Sequence, residues 1–524
     1  MHDPFTLADL IEDRARTRGA KAALRFEGEA TSYAELERRA RQVARGLRAA
    51  GVGKGDRVAF LGKNTHRYFE LLFGAARIGA VMVPINWRLA PPEMEWIMRD
   101  AGARALFYGP EFASMAASGA GLDLRLALPL ERPPGPSSGG RDYLSWLGGL
   151  EPDHAPAVPG PHDVAVQMYT SGTTGRPKGA MLTHWNLLVF RALPSDAQPP
   201  WNRWTEDDVS LVAMPIFHIG GTGFGLQTLC AGGTAIVTRE FDAGQVLELI
   251  EHHGLSKFFV VTTALQMLLR NPRVRDIDYR RIRTILYGAS PIPEELLREA
   301  MAVFGCGFVQ QYGMTEATGT ICALTPEDHA AADAQRMRSA GRPLEGVDIA
   351  VVDGQGRRLP PGEIGEIAIR SPTIMRGYWN QPEATAEVLD AEGWFRSGDA
   401  GYLDPEGYVY ICDRMKDMII SGGENVYPAE VEAALYGHAD VAEVAVIGVP
   451  SAKWGEEVKA VVVLRPGATP DVPSLLEWTR RRIASYKVPK SIDFVASLPR
   501  NASGKLLRRE IREPFWAGRE RRVN

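Results

Sequence analysis

Strand, helix and strand follow one another at short spacing near the start of the chain, and this rhythm narrows the folds open to it. Arg57-Val58-Ala59-Phe60-Leu61 reads as a short buried strand, the stretch from Tyr68 to Arg77 as a helix, and Val81-Met82-Val83-Pro84 as the next strand. Strands joined through a helix run parallel, so an α/β architecture is expected. A helix precedes them between Ser32 and Ala50, where Tyr33, Leu36, Ala40, Val43, Ala44 and Leu47 fall on one face; Ser32 and Glu35 stand as a capping box and Gly51 as the stop. At 524 residues the chain is too long for one ordinary core, so two or more domains are expected.

After Asp413 the rhythm begins again. Met418-Ile419-Ile420, a Gly422-Gly423 turn, a helix opening at Pro428 with Glu430 and Glu432 in its first turn, and strand-like Ala445-Val446-Ile447 and Ala460 to Leu464 describe a second, smaller α+β domain. The division expected is 1–413 for a large domain of parallel-sheet α/β subdomains and 414–524 for the small one. Residues 133–140, rich in Pro, Gly and Ser, read as an exposed insertion.

Directly after the apolar Val164-Ala165-Val166-Gln167-Met168 comes Tyr169-Thr170-Ser171-Gly172-Thr173-Thr174-Gly175-Arg176-Pro177-Lys178-Gly179. Glycines let a backbone turn sharply and bring its N–H groups against an anion, and Ser171, Thr173, Thr174 and Lys178 supply hydroxyls and positive charge. The stretch reads as a phosphate loop. It is not a Walker A loop, because Pro177 stands where that pattern needs its second glycine and Gly179 replaces the hydroxyl residue after the lysine.

These eleven residues resemble the signature loop of the adenylate-forming superfamily, which includes acyl-CoA synthetases, aryl-CoA ligases, luciferases and peptide-synthetase adenylation domains. Four more motifs follow in that family's order: Tyr312-Gly313-Met314-Thr315-Glu316, Phe395-Arg396-Ser397-Gly398-Asp399, Asp413-Arg414-Met415-Lys416-Asp417, and Pro499-Arg500-Asn501-Ala502-Ser503-Gly504-Lys505. The resemblance runs from about Thr31 to about Lys505, and its one noted departure, Ser397 for threonine, keeps the hydroxyl.

The resemblance implies an acid–thiol ligase with ATP, Mg²⁺ and coenzyme A as cofactors and co-substrates. Adenylation of a carboxylate makes a mixed anhydride with AMP, and a thiol then displaces the AMP. A nucleotide site is implied at Thr170, Ser171, Gly172, Thr173, Thr174, Gly175, Lys178, Gly288, Ala289, Ser290, Gln311, Tyr312, Gly313, Met314, Thr315, Asp399, Arg414, Asn425 and Lys505. Within it the Thr315 hydroxyl suits the α-phosphate and the Glu316 carboxylate suits Mg²⁺. Tyr312 offers a face for adenine, although by sequence alone it serves equally as a core aromatic. Asp399 can accept from ribose hydroxyls, with Arg414 directed to the same sugar. Lys505 is implied to bridge the acid and the α-phosphate. Lys416 matches the hinge about which the mobile small domain swings, presenting Gly422 and Gly423 to coenzyme A.

His218 matches a position between the acyl pocket and the thiol channel. It is placed in the acyl site, with Gly221 and Gly313, and among the catalytic candidates beside Thr315, Glu316 and Lys505. Gly220, Gly221, Gly223 and Gly225 suggest a roomy, elongated pocket. The acid expected is a medium- or long-chain fatty acid; an aryl or phenylpropenoic acid, or delivery to a carrier protein, are the alternatives.

A formal net charge of -4 makes no electrostatic case for nucleic acid. Cys230, Cys306, Cys322 and Cys412 lie far apart without a metal-binding spacing. With no export leader and no run near the roughly 20 apolar residues of a membrane span, a cytoplasmic protein is expected. Peripheral membrane contact through the basic 519–524 tail and homodimerisation are left open.

Overall fold

The computed structural model describes residues 6–117, 122–132, 141–170, 177–290, 292–331, 335–421, 424–451, 453–500 and 506–517. The early rhythm builds a six-stranded sheet in the order Leu126–Pro129, Ala103–Tyr108, Arg57–Leu61, Val81–Ile85, Val164–Thr170, Lys178–Thr183. Every neighbouring pair is parallel except the last, which is antiparallel and sets Thr170 opposite Lys178. The loop stretch therefore joins two antiparallel strands and does not run from strand to helix as a Walker A loop does.

A nine-stranded sheet follows, with Val209–Val212, Thr234–Val237, Lys257–Val261, Thr284–Gly288 and Gly307–Met314 parallel in its middle and antiparallel strands toward both edges. Residues of both sheets share one apolar core with the helices Leu7–Arg18, Tyr33–Ala49, Arg67–Arg77 and Ile219–Ala231. The six apolar positions of Tyr33–Ala49 that define its face are all buried, each Leu or Val contributing about 1.5–3 kcal/mol. Only half of the expected capping box forms. The Ser32 hydroxyl accepts from the Glu35 N–H, but the Glu35 carboxylate is taken by Arg38 and Arg39.

Residues 348–414 depart from the parallel expectation. Asp348–Val352, Gly365–Arg370, Phe395–Leu403 and Val409–Arg414 form a four-stranded sheet that is antiparallel throughout. The second and third of these strands are joined by residues 371–394, which include the short helix Pro382–Val388, yet the chain returns antiparallel. The last sheet begins at Ile419 and contains five strands; Gly455–Leu464 is its central strand, paired with the long edge strand Val441–Ser451 on one side. Its helix Pro428–Tyr436 starts on proline with Glu430 in the first turn; Glu432 lies further in and receives the Val446 N–H at 2.8 Å. Asp413 ties the two regions: its carboxylate accepts from the Ala429 N–H at 2.9 Å and meets Arg508 at 3.3 Å. The insertion at 133–140 and the basic tail lie outside the described residues, and among those described no helix is long and apolar enough to cross a membrane.

Candidate active site

Strand Gly307–Met314 runs into the tight turn Thr315–Ala317, which brings Glu316 against the end of the loop hairpin. One carboxylate oxygen, Oε1, accepts from the Thr170 hydroxyl and from the Tyr378 hydroxyl, each at 3.0 Å. Lys178, buried on the partner strand directly opposite Thr170, holds its ammonium 5.0 Å from the Tyr378 ring centre. Tyr378 thus joins the carboxylate and the lysine. No motif signals it: it stands 62 residues from Glu316 in a segment whose backbone borders the hairpin through Gly377, Tyr378 and Trp379.

The next cluster gathers Tyr312, Asp399 and Arg414. The Tyr312 hydroxyl donates to Asp399 Oδ2 at 2.6 Å, and Arg414 Nε lies 2.8 Å from Oδ1. Burial and the neighbouring Asp399 charge hold the phenol well above its ordinary pKa. A carboxylate has about four lone-pair positions, so Asp399 keeps acceptor capacity for hydroxyls of a ligand.

Between these clusters strand Thr284–Gly288 lies beside Gly307–Met314 with Gly288 opposite Gln311. A Cβ on Gly288 would meet the Gln311 carbonyl oxygen at 2.2 Å, and one on Gly313 the Gly319 carbonyl oxygen at 1.8 Å, so neither position admits a side chain at this approach. Ala289 sits at φ 66, a left-handed conformation costly for a residue with a Cβ. The Ser290 hydroxyl donates to Thr262 at 3.1 Å.

Ala289, Gln311, Gly313, Met314, Thr315 and His218 all border one cavity of about 440 Å³. Part of its wall is aromatic, with Trp201, Trp204, Phe224 and Phe259. His218 precedes the helix Ile219–Ala231, with its ring 4.6 Å from that of Phe217. Burial, aided by Arg88, pushes its pKa down to about 4, so the imidazole is neutral at pH 7. Its Nε2 is buried without a partner among the described residues, leaving a polar atom to meet a bound molecule.

The glycines divide. Gly220 and Gly223 border the cavity, whereas Gly221 is buried outside its lining, where a Cβ would lie 2.4 Å from the Pro215 carbonyl oxygen and 2.6 Å from that of Met214. Gly221 serves the close approach of two backbone segments. Gly225 would place a Cβ 2.3 Å from the Phe69 ring, so it too serves packing.

Ser171, Gly172, Thr173, Thr174, Gly175, Gly422, Gly423 and Lys505 lie outside the described residues, as does the Lys416 side chain, whose backbone forms the turn Met415–Asp417. Asn425 is exposed on the strand Glu424–Val426 and hydrogen-bonds with Tyr427. The aromatic wall escaped the sequence reading because its residues come from separate elements.

Two family models match the chain: the AMP-binding enzyme model over residues 11–379 and the AMP-binding enzyme C-terminal domain over 430–505. A feruloyl-CoA synthase from Amycolatopsis sp is 45% identical over 96% of this chain and 97% of its own. A fatty acid–[acyl-carrier-protein] ligase, ScoC, from Streptomyces coeruleorubidus is 41% identical over 100% and 99%. Among solved structures, ATP-bound MatB from Rhodopseudomonas palustris superposes with a TM-score of 0.87 at 34% identity, covering 98% of this chain and 99% of that one. The matched models span most of the chain and both of its regions, and the chain therefore belongs to the AMP-binding enzyme family, the adenylate-forming superfamily of acyl-CoA synthetases.

Proposed function

We propose that this acid–thiol ligase activates a hydrophobic carboxylic acid and passes the acyl group to coenzyme A. The observation that carries the reading is the single cavity bordered both by Thr315 and Gly313 and by the aromatic wall, so that an apolar body fits while its carboxylate meets the nucleotide side. Four aromatic residues in that wall favour an aryl acid over a plain alkyl chain. Names of relatives at similar identity span both chemistries, feruloyl and fatty acid.

In the first step a carboxylate oxygen attacks the α-phosphorus of ATP and the bond to pyrophosphate breaks. In the second the thiol sulfur attacks the acyl carbon and AMP leaves. Lys178 offers positive charge to the phosphates, Thr315 a hydroxyl to the α-phosphate, and Asp399 and Arg414 orient the ribose. Mg²⁺ fits Glu316, whose two hydrogen bonds fall on Oε1 and leave Oε2 for a cation that favours one or two protein carboxylates plus phosphate oxygens. Such an ion neutralises phosphate charge when bound. Neutral His218 orients the acyl end through Nε2.

The test is pyrophosphate release across a panel of acids with and without coenzyme A. AMP and pyrophosphate are expected only with ATP, Mg²⁺ and an apolar acid together, and ADP with orthophosphate would overturn the reading. Lys505→Ala should lose adenylation by about 10²-fold yet still convert synthetic acyl-AMP and coenzyme A to thioester. Lys416→Pro should do the reverse, because a fixed φ restrains the hinge of a mobile 414–524 domain. Thioester formation on a carrier protein but not on coenzyme A would replace the acceptor.

A further inference from the structure

Three arginines border the acid cavity, Arg88, Arg191 and Arg239. Two are neutralised: Arg88 lies 3.2 Å from Glu240, and Arg239 pairs with Glu27 at 2.5 Å and Glu131 at 2.9 Å. Arg191 has no carboxylate within ion-pair distance among the described residues. Its Nε, Nη1 and Nη2 donate to the carbonyl oxygens of Gly223 at 3.1 Å, Leu187 at 2.9 Å and Thr318 at 2.8 Å. Each terminal nitrogen carries two N–H bonds, so Nη1 and Nη2 each keep a donor beyond these contacts.

Two glycines leave that guanidinium bare. A Cβ on Gly223 would stand 2.7 Å from Nη2 and one on Gly319 3.0 Å, and both glycines border the cavity. Burial pushes the Arg191 pKa down to about 10, yet the residue keeps part of its surface accessible. Arg191 belongs to the cavity lining, so accessible surface of this residue borders the pocket. One helical turn beyond Gly223, Gln227 borders the same cavity, and its Nε2 is buried without a partner among the described residues.

We propose that Arg191 is a specificity-determining residue, and that the pocket takes an acid bearing a second oxygen acceptor, such as a carboxylate or a phenol, away from the carboxylate being activated. This rests on the acid-activating reading above. A hydrocarbon body alone would desolvate the guanidinium and give its free donors nothing, and a site built on donors rejects the analogue lacking the acceptor far more strongly than an apolar pocket rejects a change of shape. The competing role is purely structural: a clamp on the Thr318 carbonyl, whose residue sits at φ 54.

Two matched pairs of acids separate the roles: decanoic with decanedioic acid, and 3-phenylpropenoic acid with its 4-hydroxy derivative. Pyrophosphate release is measured for the parent, Arg191→Met and Arg191→Lys, with melting temperature and KM for ATP as controls. The parent should favour the oxygen-bearing member of at least one pair by tenfold or more in kcat/KM; which pair does so identifies carboxylate or phenol as the partner. Arg191→Met should erase that ratio and Arg191→Lys retain part of it, with KM for ATP unchanged. A parent ratio near one in both pairs overturns the proposal while leaving adenylation standing, and so does an equal loss on both members in Arg191→Met. If Arg191→Met does not fold, the parent ratios and Arg191→Lys decide. If no acid releases pyrophosphate, the adenylation reading fails, and dissociation constants from quenching of Trp201 and Trp204 fluorescence in the parent decide Arg191 independently: the same preference supports it, none overturns it.

Discussion

Replacing Tyr378 by phenylalanine should slow adenylation by roughly tenfold and raise the Mg²⁺ concentration needed for half-maximal rate. The change removes one hydroxyl that donates to Glu316 Oε1 at 3.0 Å while keeping the ring 5.0 Å from the Lys178 ammonium. A hydrogen bond to a charged group is worth about 1.5–3 kcal/mol, or roughly 10- to 100-fold in rate if all of it orients the carboxylate in the transition state. Thr170 still donates to the same oxygen at 3.0 Å, so the lower end is expected. Tyr378→Leu also loses the ring and about 0.5–2 kcal/mol of cation–π attraction, which should weaken ATP binding several-fold more. The assay is pyrophosphate release at saturating acid over a Mg²⁺ titration, with melting curves as control. Thr170→Val should mimic Tyr378→Phe, and the double variant should fall below the product of the singles, since either donor alone still orients the carboxylate. An unchanged Mg²⁺ dependence in Tyr378→Phe, or equal behaviour of the Phe and Leu variants, would refute this account.

Gly221→Ala should cost stability, because its Cβ would fall 2.4 Å from a backbone oxygen, whereas Gly220→Ala, whose Cβ would meet only the Phe259 ring at 3.6 Å, should keep the melting temperature and narrow acid selection; equal melting temperatures would contradict this. For His218, a folded pKa of about 4 lies below the ordinary 6.5, so the unfolded chain binds the extra proton first. Its contribution to stability is complete above about pH 6.5 and is lost as the pH falls toward 4. Urea unfolding between pH 4 and 7 should therefore show a shallower acid decline in His218→Gln than in the parent, and identical slopes would speak against a buried neutral imidazole.

What could be read along the chain was whatever is encoded within a few residues. The face of Tyr33–Ala49, the proline start of Pro428–Tyr436, and the strands at Arg57–Leu61 and Val81–Ile85 follow from side-chain spacing and backbone preference, which act locally. The motif residues Tyr312, Asp399 and Arg414 were legible through resemblance, and the fold brings them together. Strand direction over 348–414 was not legible, because parallel and antiparallel returns present the same apolar runs, and here even a connection that contains the helix Pro382–Val388 returns the chain antiparallel. Gly221 was misjudged for a related reason: a missing side chain looks alike whether it makes room for a ligand or for another backbone.

Meetings between distant residues belong to the tertiary structure alone. Tyr378 reaches Glu316 across 62 positions, and Arg191 reaches Thr318 across 127. Periodicity shows which face of an element is buried but not which other element covers it. The composition of the loop stretch pointed to phosphate chemistry, whereas the carboxylate set opposite it, the aromatic wall and the one arginine there without a carboxylate partner among the described residues were decided only when separate strands and helices closed around a common space.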